Sequence, residues 1–325
     1  VCSLLWLHVH TPSCGFGRAK QQPLSELRER TGLAIRKSAR GRNDGTVLSK
    51  EEKKLVSKIA AASEDRNWPA ARSLFSGYVG NASPVYGVAM NAAFRCRQYK
   101  DGAKIYEQCR TNCELVDQPA FTVALRIFAK LKDATQVQQI WDDALKAYPL
   151  DEILGSARIA AAADFGDVEM AAETLDTMNN SNVSINVYHI NSAMRACWGW
   201  GDKQHKAAKY FFDLLSNFTL SPTIVSFTSL IGAFKTASLW RIVSAYDEMK
   251  DLKIPPDAVF AETYIFSLLQ TGKRAHMRVE ENLHEASIDR LRAAREALND
   301  FKSAGVKMHK VCTDLDKALT RMGIL

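Results

Sequence analysis

The chain has 325 residues, 46% of them apolar and 24% charged, a balance that excludes wholesale disorder. No apolar run approaches the roughly 18 residues that a membrane-spanning helix needs, so the chain is not itself expected to be transmembrane. The formal charge of +7, from 43 basic and 36 acidic residues, is compatible with a polyanionic partner and equally with simple solubility.

In chain order, residues 1–47 come first as a basic N-terminal extension. Val stands at position 1 rather than Met, which points to a processed or truncated chain. The apolar VCSLLWLHV is followed by Arg18, Lys20, Arg28, Arg30, Arg36, Lys37, Arg40 and Arg42. A secretory signal fits poorly, because no basic flank precedes the apolar piece and no clear cleavage site follows it. The arginines fit a remnant of an organelle-targeting region, or an extended basic arm.

Ser49 and Glu52 then form a capping box that predicts a helix running to about Ala62. Trp68–Pro69 opens a second helix containing Leu74 and Phe75. From residue 83 one pattern restarts again and again: SPVYGVAM at 83, QPAFTVAL at 118, EILGSARI at 152, VYHINSAM at 187, IVSFTSLI at 224 and AVFAETYI at 258. The intervals are 35, 34, 35, 37 and 34 residues.

The second half of each unit repeats as well. Apolar pairs recur at Ile105–Tyr106, Ile140–Trp141, Phe211–Phe212 and Ala245–Tyr246, and Met178, Leu215 and Met249 close the last turn. Gly166, Gly201 and Gly272 stand at the fifteenth place of their units, where a left-handed residue would end a first helix. Asp167 and Asp202 follow directly and can cap the next helix. Each unit reads as helix, turn, helix. Ordering one such hairpin costs roughly 50 kcal/mol of conformational entropy, which takes about 2,000 Å² of apolar burial to offset. A lone hairpin cannot bury so much, whereas a stacked neighbour on each side supplies it.

Residues 48–322 therefore form about seven stacked units, degenerate at both ends. A highly charged stretch, MRVEENLHEASIDR at 277–290, is inserted as a largely solvated helix, and residues 310–322 read as a terminal capping helix. Cys2, Cys14, Cys96, Cys109, Cys113, Cys197 and Cys312 are odd in number and scattered, which suits a reducing compartment rather than a disulfide framework. Cys109 and Cys113, one helical turn apart, read as buried thiols rather than zinc ligands. The sequence carries no Cys-x-x-Cys, Gly-x-Ser-x-Gly, His-Glu-x-x-His or Gly-rich phosphate loop, so no enzyme, metal or cofactor is expected.

Trp and then Leu–Gly, the early signals of a tetratricopeptide unit, are absent. What is present is SFTSLI, HINSAM and VYGVAM at the openings and DEMKDLKIPPD at a tail. That pattern resembles the pentatricopeptide repeat family, whose units begin with a Val-rich VTYN-like stretch and end in Pro–Asp. The resemblance implies an all-α fold, an α-solenoid forming a right-handed superhelix. Its first helices would line a concave face that binds single-stranded RNA, about one base per unit.

In the family, the fifth and last residues of a unit contact the base edge. Carried over, the pairs are Gly87 with Asp117, Thr122 with Asp151, Ser156 with Asn186, Asn191 with Thr223, and Thr228 with Asp257. The second residue packs on the base plane, which assigns Ile153, Tyr188, Val225 and Val259. Pro84 and Pro119 at that place, and Glu262 at the fifth place of the last unit, depart from the family's choice. Thr with Asp suits guanine, Ser with Asn suits adenine and Asn with Thr points to a pyrimidine, so the expected order is 5′-N-G-A-Y-G-3′. Lys130 and Lys235, near the ends of first helices, are candidates for phosphate contacts. A residue just before a helix is also an ordinary N-cap, and the five last-place residues could be only that. The function expected is RNA processing, stability or translation in a mitochondrion or chloroplast, without catalysis. The alternative is a scaffold subunit of an organellar ribosome or membrane complex, using the solenoid for protein contacts.

Overall fold

The computed structural model describes residues 48–199, 202–269, 283 and 286–323, and these contain helices only. Residues 1–47, Gly201, Gly272 and most of the 277–290 insertion lie outside the described residues. The helices are α1 (Lys50–Glu64), α2 (Trp68–Ser76), α3 (Ser83–Arg95), α4 (Tyr99–Asn112), α5 (Gln118–Lys130), α6 (Ala134–Ala147), α7 (Glu152–Phe165) and α8 (Val168–Asn180). They continue as α9 (Val187–Ala196), α10 (Asp202–Asn217), α11 (Ile224–Ala233), α12 (Leu239–Asp251), α13 (Ala258–Leu268), α14 (Ile288–Ser303) and α15 (Lys310–Arg321).

The odd-numbered helices from α1 to α13 stack on one another in chain order, and each even one packs on its own unit's first helix. Second helices approach one another far less, so the first-helix layer lies on the inside of the curve. The apolar pairs anticipated from the repeat are the core of each unit: Ile105, Tyr106, Ile140, Trp141, Phe211, Phe212, Ala245 and Tyr246 are all buried. Met178, Leu215 and Met249 are buried beneath the last turns. α15 packs on α13 and occupies the place of a next first helix, closing the stack.

Two kinds of turn recur along the stack. The first helices α1, α3, α5 and α7 end in one left-handed residue followed at once by the cap of the second: Arg66 then Asn67, Arg97 then Gln98, Lys132 then Asp133, Gly166 then Asp167, whereas α11 ends without one. The fifteenth place is thus left-handed even where it is Arg97 or Lys132, with φ of 59° and 62°. The N–H two residues past the helix closes the six-to-one bond of a Schellman motif, as in Asp133 to Phe128 and Asp167 to Ala162.

The second helices α8, α10, α12 and α14 end at left-handed Asn182, Thr219, Lys253 and Gly305, followed by the aliphatic residues Val183, Leu220, Ile254 and Val306, whereas α2, α4 and α6 end without one. The next N-cap stands four residues past each left-handed one, at Asn186, Thr223, Asp257 and His309. The two extra residues of the 187 unit therefore fall before Thr219, and Thr223 keeps the same place as the other caps. α10 begins at Asp202 itself rather than after it.

The end of the charged stretch differs from its expected solvated character. Ser287 caps α14, and Arg290 within its first turn is buried. Its guanidinium donates to the backbone oxygens of Leu268 (2.9 Å) and Ser267 (3.3 Å) at the end of α13, and of Ala237 (2.8 Å) just beyond α11. Arg295 and Lys302 then tie α14 to α15 through Asp316, at 2.8 and 2.7 Å.

Candidate nucleic-acid interface

Four first helices, α7, α9, α11 and α13, open with the same arrangement of N-cap, exposed apolar residue and fifth-place side chain, and its parts come from helix-end physics. The last-place residues are all helix N-caps. Asp117 accepts from the Ala120 N–H (2.9 Å), Asp151 from Leu154 (2.8 Å) and Asp257 from Phe260 (2.7 Å). Asn186 accepts from Tyr188 and His189, and Thr223 from Ser226. Capping engages Oδ1 alone in Asp151 and Asp257, which leaves the second carboxylate oxygen of each for another donor.

Two residues past each cap, at the start of the helix, stand Ile153, Tyr188, Val225 and Val259. They are 64%, 74%, 52% and 57% exposed, whereas the apolar residues around them are buried. An apolar side chain held in water at the same place in four successive units has no packing reason to be there. Pro84 is half-buried and Pro119 exposed at the corresponding places.

The fifth-place residues face the same side, one turn on. The Thr122 hydroxyl donates to the Gln118 carbonyl (3.0 Å) and that of Thr228 to Ile224 (2.8 Å). Ser156 Oγ lies 2.6 Å from Nε2 of His189, on the next first helix. Asn191 is buried, and its Oδ1 has no hydrogen-bond partner among the described residues. Gly87 is buried, and a Cβ there would make only an ordinary 3.8 Å contact with Ala120. Glu262 is engaged by His309 Nδ1 at 2.9 Å, which ties α13 to α15.

Between α5, α7 and α9 these parts enclose a groove of about 310 Å³, lined by Thr122, Arg126, Ile153, Ser156, Tyr188 and His189. Two fifth-place residues, Thr122 and Ser156, and two expected stacking residues, Ile153 and Tyr188, thus come together on one surface. Lys130 and Lys235 are placed differently from expectation: each bridges two units. Lys130 Nζ pairs with Asp164 (2.7 Å), at the equivalent place one unit on, and Lys235 Nζ donates to the Trp198 carbonyl (2.6 Å).

The exposed cations nearest the fifth-place residues are Arg126 and Arg195. Both stand at the ninth place of their units, one turn below Thr122 and Asn191. That four-residue spacing was the signal available in the sequence. Arg126 also lies over the Phe94 ring at 4.3 Å, which holds it against the unit before.

His189 is buried between Ser156 and its own cap. Burial depresses its pKa below the ordinary 6.5, with the neighbouring Glu152 opposing the shift. The folded chain therefore holds the neutral ring, while the unfolded chain takes up a proton as pH falls through about 6.5. The stability attributable to His189 is complete on the alkaline side of that value and declines below it, until the folded ring itself titrates. Chemical denaturation at pH 7.5 and 5.5 is expected to show a larger loss in the native chain than in His189→Gln. Equal losses would remove His189 from the account.

The described residues hold no cluster of three or more His, Cys, Asp or Glu suited to a metal, and no described helix is long and apolar enough to cross a membrane. Cys109 and Cys113 are buried with sulfurs 3.7 Å apart, and burial pushes the Cys109 thiol up to about 12, so it stays protonated. On the outer side, α10 and α12 part over α11 to leave a second groove of about 410 Å³. Phe234 lies within it, and Tyr210 and Trp240, 57% and 67% exposed, stand on its rim.

No family model and no curated protein matches the chain. Solved structures do. The pentatricopeptide repeat protein PPR10 in complex with an 18-nt psaJ RNA element aligns with a TM-score of 0.59 at 15% identity, over 87% of this chain and 42% of that one. A form of PPR10 with cysteines replaced by serine, bound to the same RNA, gives the same values. PPR10 from maize aligns with a TM-score of 0.46 at 14% identity, over 84% of this chain and 45% of that one. The chain spans about two fifths of the length of the RNA-complexed PPR10 structures, and shares their fold: an all-α solenoid of pentatricopeptide-repeat type.

Proposed function

We propose that this pentatricopeptide-repeat-like solenoid binds a short single-stranded RNA along its first-helix layer and acts by occupancy, protecting or presenting a transcript without catalysis. One observation carries the reading: Ile153, Tyr188, Val225 and Val259 stand exposed at the same place in four successive units, each beside a capping residue. Flat apolar surfaces at a regular interval suit successive bases, and the Asp, Asn and Thr beside them suit base edges. The bound PPR10 structures support the reading through their fold. The arginines of residues 18–42 support an organelle as the place of action.

A base on aromatic Tyr188 contributes about 1–3 kcal/mol and the bases on the three aliphatic residues less, so a Kd no tighter than about micromolar is expected. The test is titration of the full chain with a short RNA containing GACG and with a scrambled control, across a salt series. Tighter binding to GACG that persists at physiological salt is the expected result. Weak binding, equal for both RNAs and erased by salt, would overturn base readout.

The outer groove favours a second reading, in which the chain is a scaffold within a larger organellar assembly. Exposed Trp240 and Tyr210 over Phe234 have the composition of a protein-binding hot spot. The two surfaces lie on opposite layers, so substitutions in one leave the other intact.

A further inference from the structure

Three fifth-place hydroxyls occupy the same position in their units, yet their protons point to different partners. Thr122 and Thr228 donate to the carbonyl four residues back, so only their lone pairs face outward. Both are therefore acceptors toward the groove. Ser156 is not bonded this way. Its oxygen is engaged by His189 instead.

The polarity of that contact follows from the other side of the ring. His189 Nδ1 accepts the backbone N–H of Asn186 at 3.1 Å. A neutral imidazole carries one proton, so it sits on Nε2, and Nε2–H donates to Ser156 Oγ. With its oxygen accepting from His189, the serine's own proton is left for the groove.

The neighbouring amide is oriented too. Asn186 Oδ1 accepts two backbone N–H groups while Nδ2 donates to Glu152 Oε1 at 2.5 Å, leaving one N–H free to donate.

We propose that His189 is a positioning residue that makes Ser156 a hydrogen-bond donor, so that the unit beginning at 152 prefers a base whose ring nitrogen accepts, adenine or cytosine, over guanine and uracil. This rests on the RNA-binding reading above. Guanine N1 and uracil N3 carry protons and could use only the serine's remaining lone pair, leaving its own proton unpartnered, whereas adenine N1 and cytosine N3 present a lone pair to that proton. At Thr122 and Thr228 the preference is reversed, because those oxygens accept. The units thus differ in which bases they admit through where a neighbouring helix sends one proton.

Two measurements on the full chain test this. Nitrogen-15 NMR of the His189 ring reads the tautomer without RNA, and a proton on Nδ1 would overturn the relay. Binding is then measured to four RNAs that differ only at the nucleotide facing this unit, and to four that differ at the nucleotide facing Thr228. Adenine and cytosine are expected to bind about five- to tenfold more tightly than guanine and uracil at the first position, the worth of one hydrogen bond to a base edge.

His189→Leu should bring that ratio below about twofold while leaving the ratio at the Thr228 position unchanged. His189→Gln, whose amide can accept from Asn186 and donate to Ser156, should keep it. Ser156→Ala provides the same loss with His189 in place, should His189→Leu fail to fold. Sequence-selective binding with a ratio indifferent to both His189→Leu and Ser156→Ala would overturn the proposal alone. Absence of selectivity at both positions would overturn the RNA reading, and this proposal with it.

Discussion

Replacing Arg290 with Ala is expected to destabilise the C-terminal end of the solenoid by about 3 kcal/mol. The side chain reaches out of α14 into a buried place between the end of α13 and the α11–α12 turn, and its guanidinium bonds three backbone oxygens, those of Ser267, Leu268 and Ala237. The last carbonyls of a helix have no partner within it, and a cation suits the negative end of its dipole. Burial lowers the Arg290 pKa from its ordinary value, but a guanidinium stays charged in proteins. Truncation strips these bonds from buried carbonyls and leaves a cavity.

Because each unit of a stack contacts only its neighbours, the loss should stay local. Hydrogen exchange is expected to show α13, α14 and α15 losing protection while α5 to α9 retain theirs. Arg290→Lys should recover less than half, since one ammonium cannot bridge the end of α13 and the α11–α12 turn. Unchanged protection in α14 would mean that the helix is held by Arg295, Lys302 and its apolar face alone.

The stack, its 34–37-residue period and the buried pairs were legible because they depend on which residues are apolar, and burial follows that pattern directly. The exposed row at Ile153, Tyr188, Val225 and Val259 was expected only through the family resemblance, which sets an apolar second residue of each unit against a base. Turns were half legible. Gly166 announces a left-handed stop, but Arg97 and Lys132 take the same conformation with nothing in their side chains to signal it. There the six-to-one bond and the packing of the unit override the residue's own preference.

Charge was the least legible. Lys130 and Asp164 stand at equivalent places in successive units, and their pairing depends on how those units stack. Arg290 lies in a run of charged residues that reads as solvated, and only the convergence of α13 and the α11–α12 turn beneath it makes its burial favourable. The Ser156–His189 contact joins residues 33 apart in sequence, and the direction of its proton depends on a third residue, Asn186. One tie that a local pattern does reveal is the capping box at Ser49–Glu52, because both partners lie within one turn.

Replacing Ile153 and Tyr188 together with Ala is expected to weaken RNA binding about 100-fold without unfolding the chain. The two side chains stand on either side of the groove that Ser156 and Thr122 line, so the base facing that unit would stack between them, and the base after it would lose one of its faces. A stacked base contributes about 1–3 kcal/mol, and the loss of about one and a half stacks corresponds to about 3 kcal/mol, two powers of ten. Both residues are more than 60% exposed, so their removal should change the unfolding free energy by no more than about 0.5 kcal/mol. That separation of affinity from stability is what distinguishes a binding surface from a packing one. The matched control is Tyr210→Ala with Trp240→Ala on the outer groove, which should leave RNA affinity unchanged. If instead the inner pair leaves RNA affinity intact and the outer pair abolishes association with a protein neighbour, the exposed inner row has no ligand of this kind. The caps at Asp151 and Asn186 would then serve only their helices, and the solenoid would act through its outer layer.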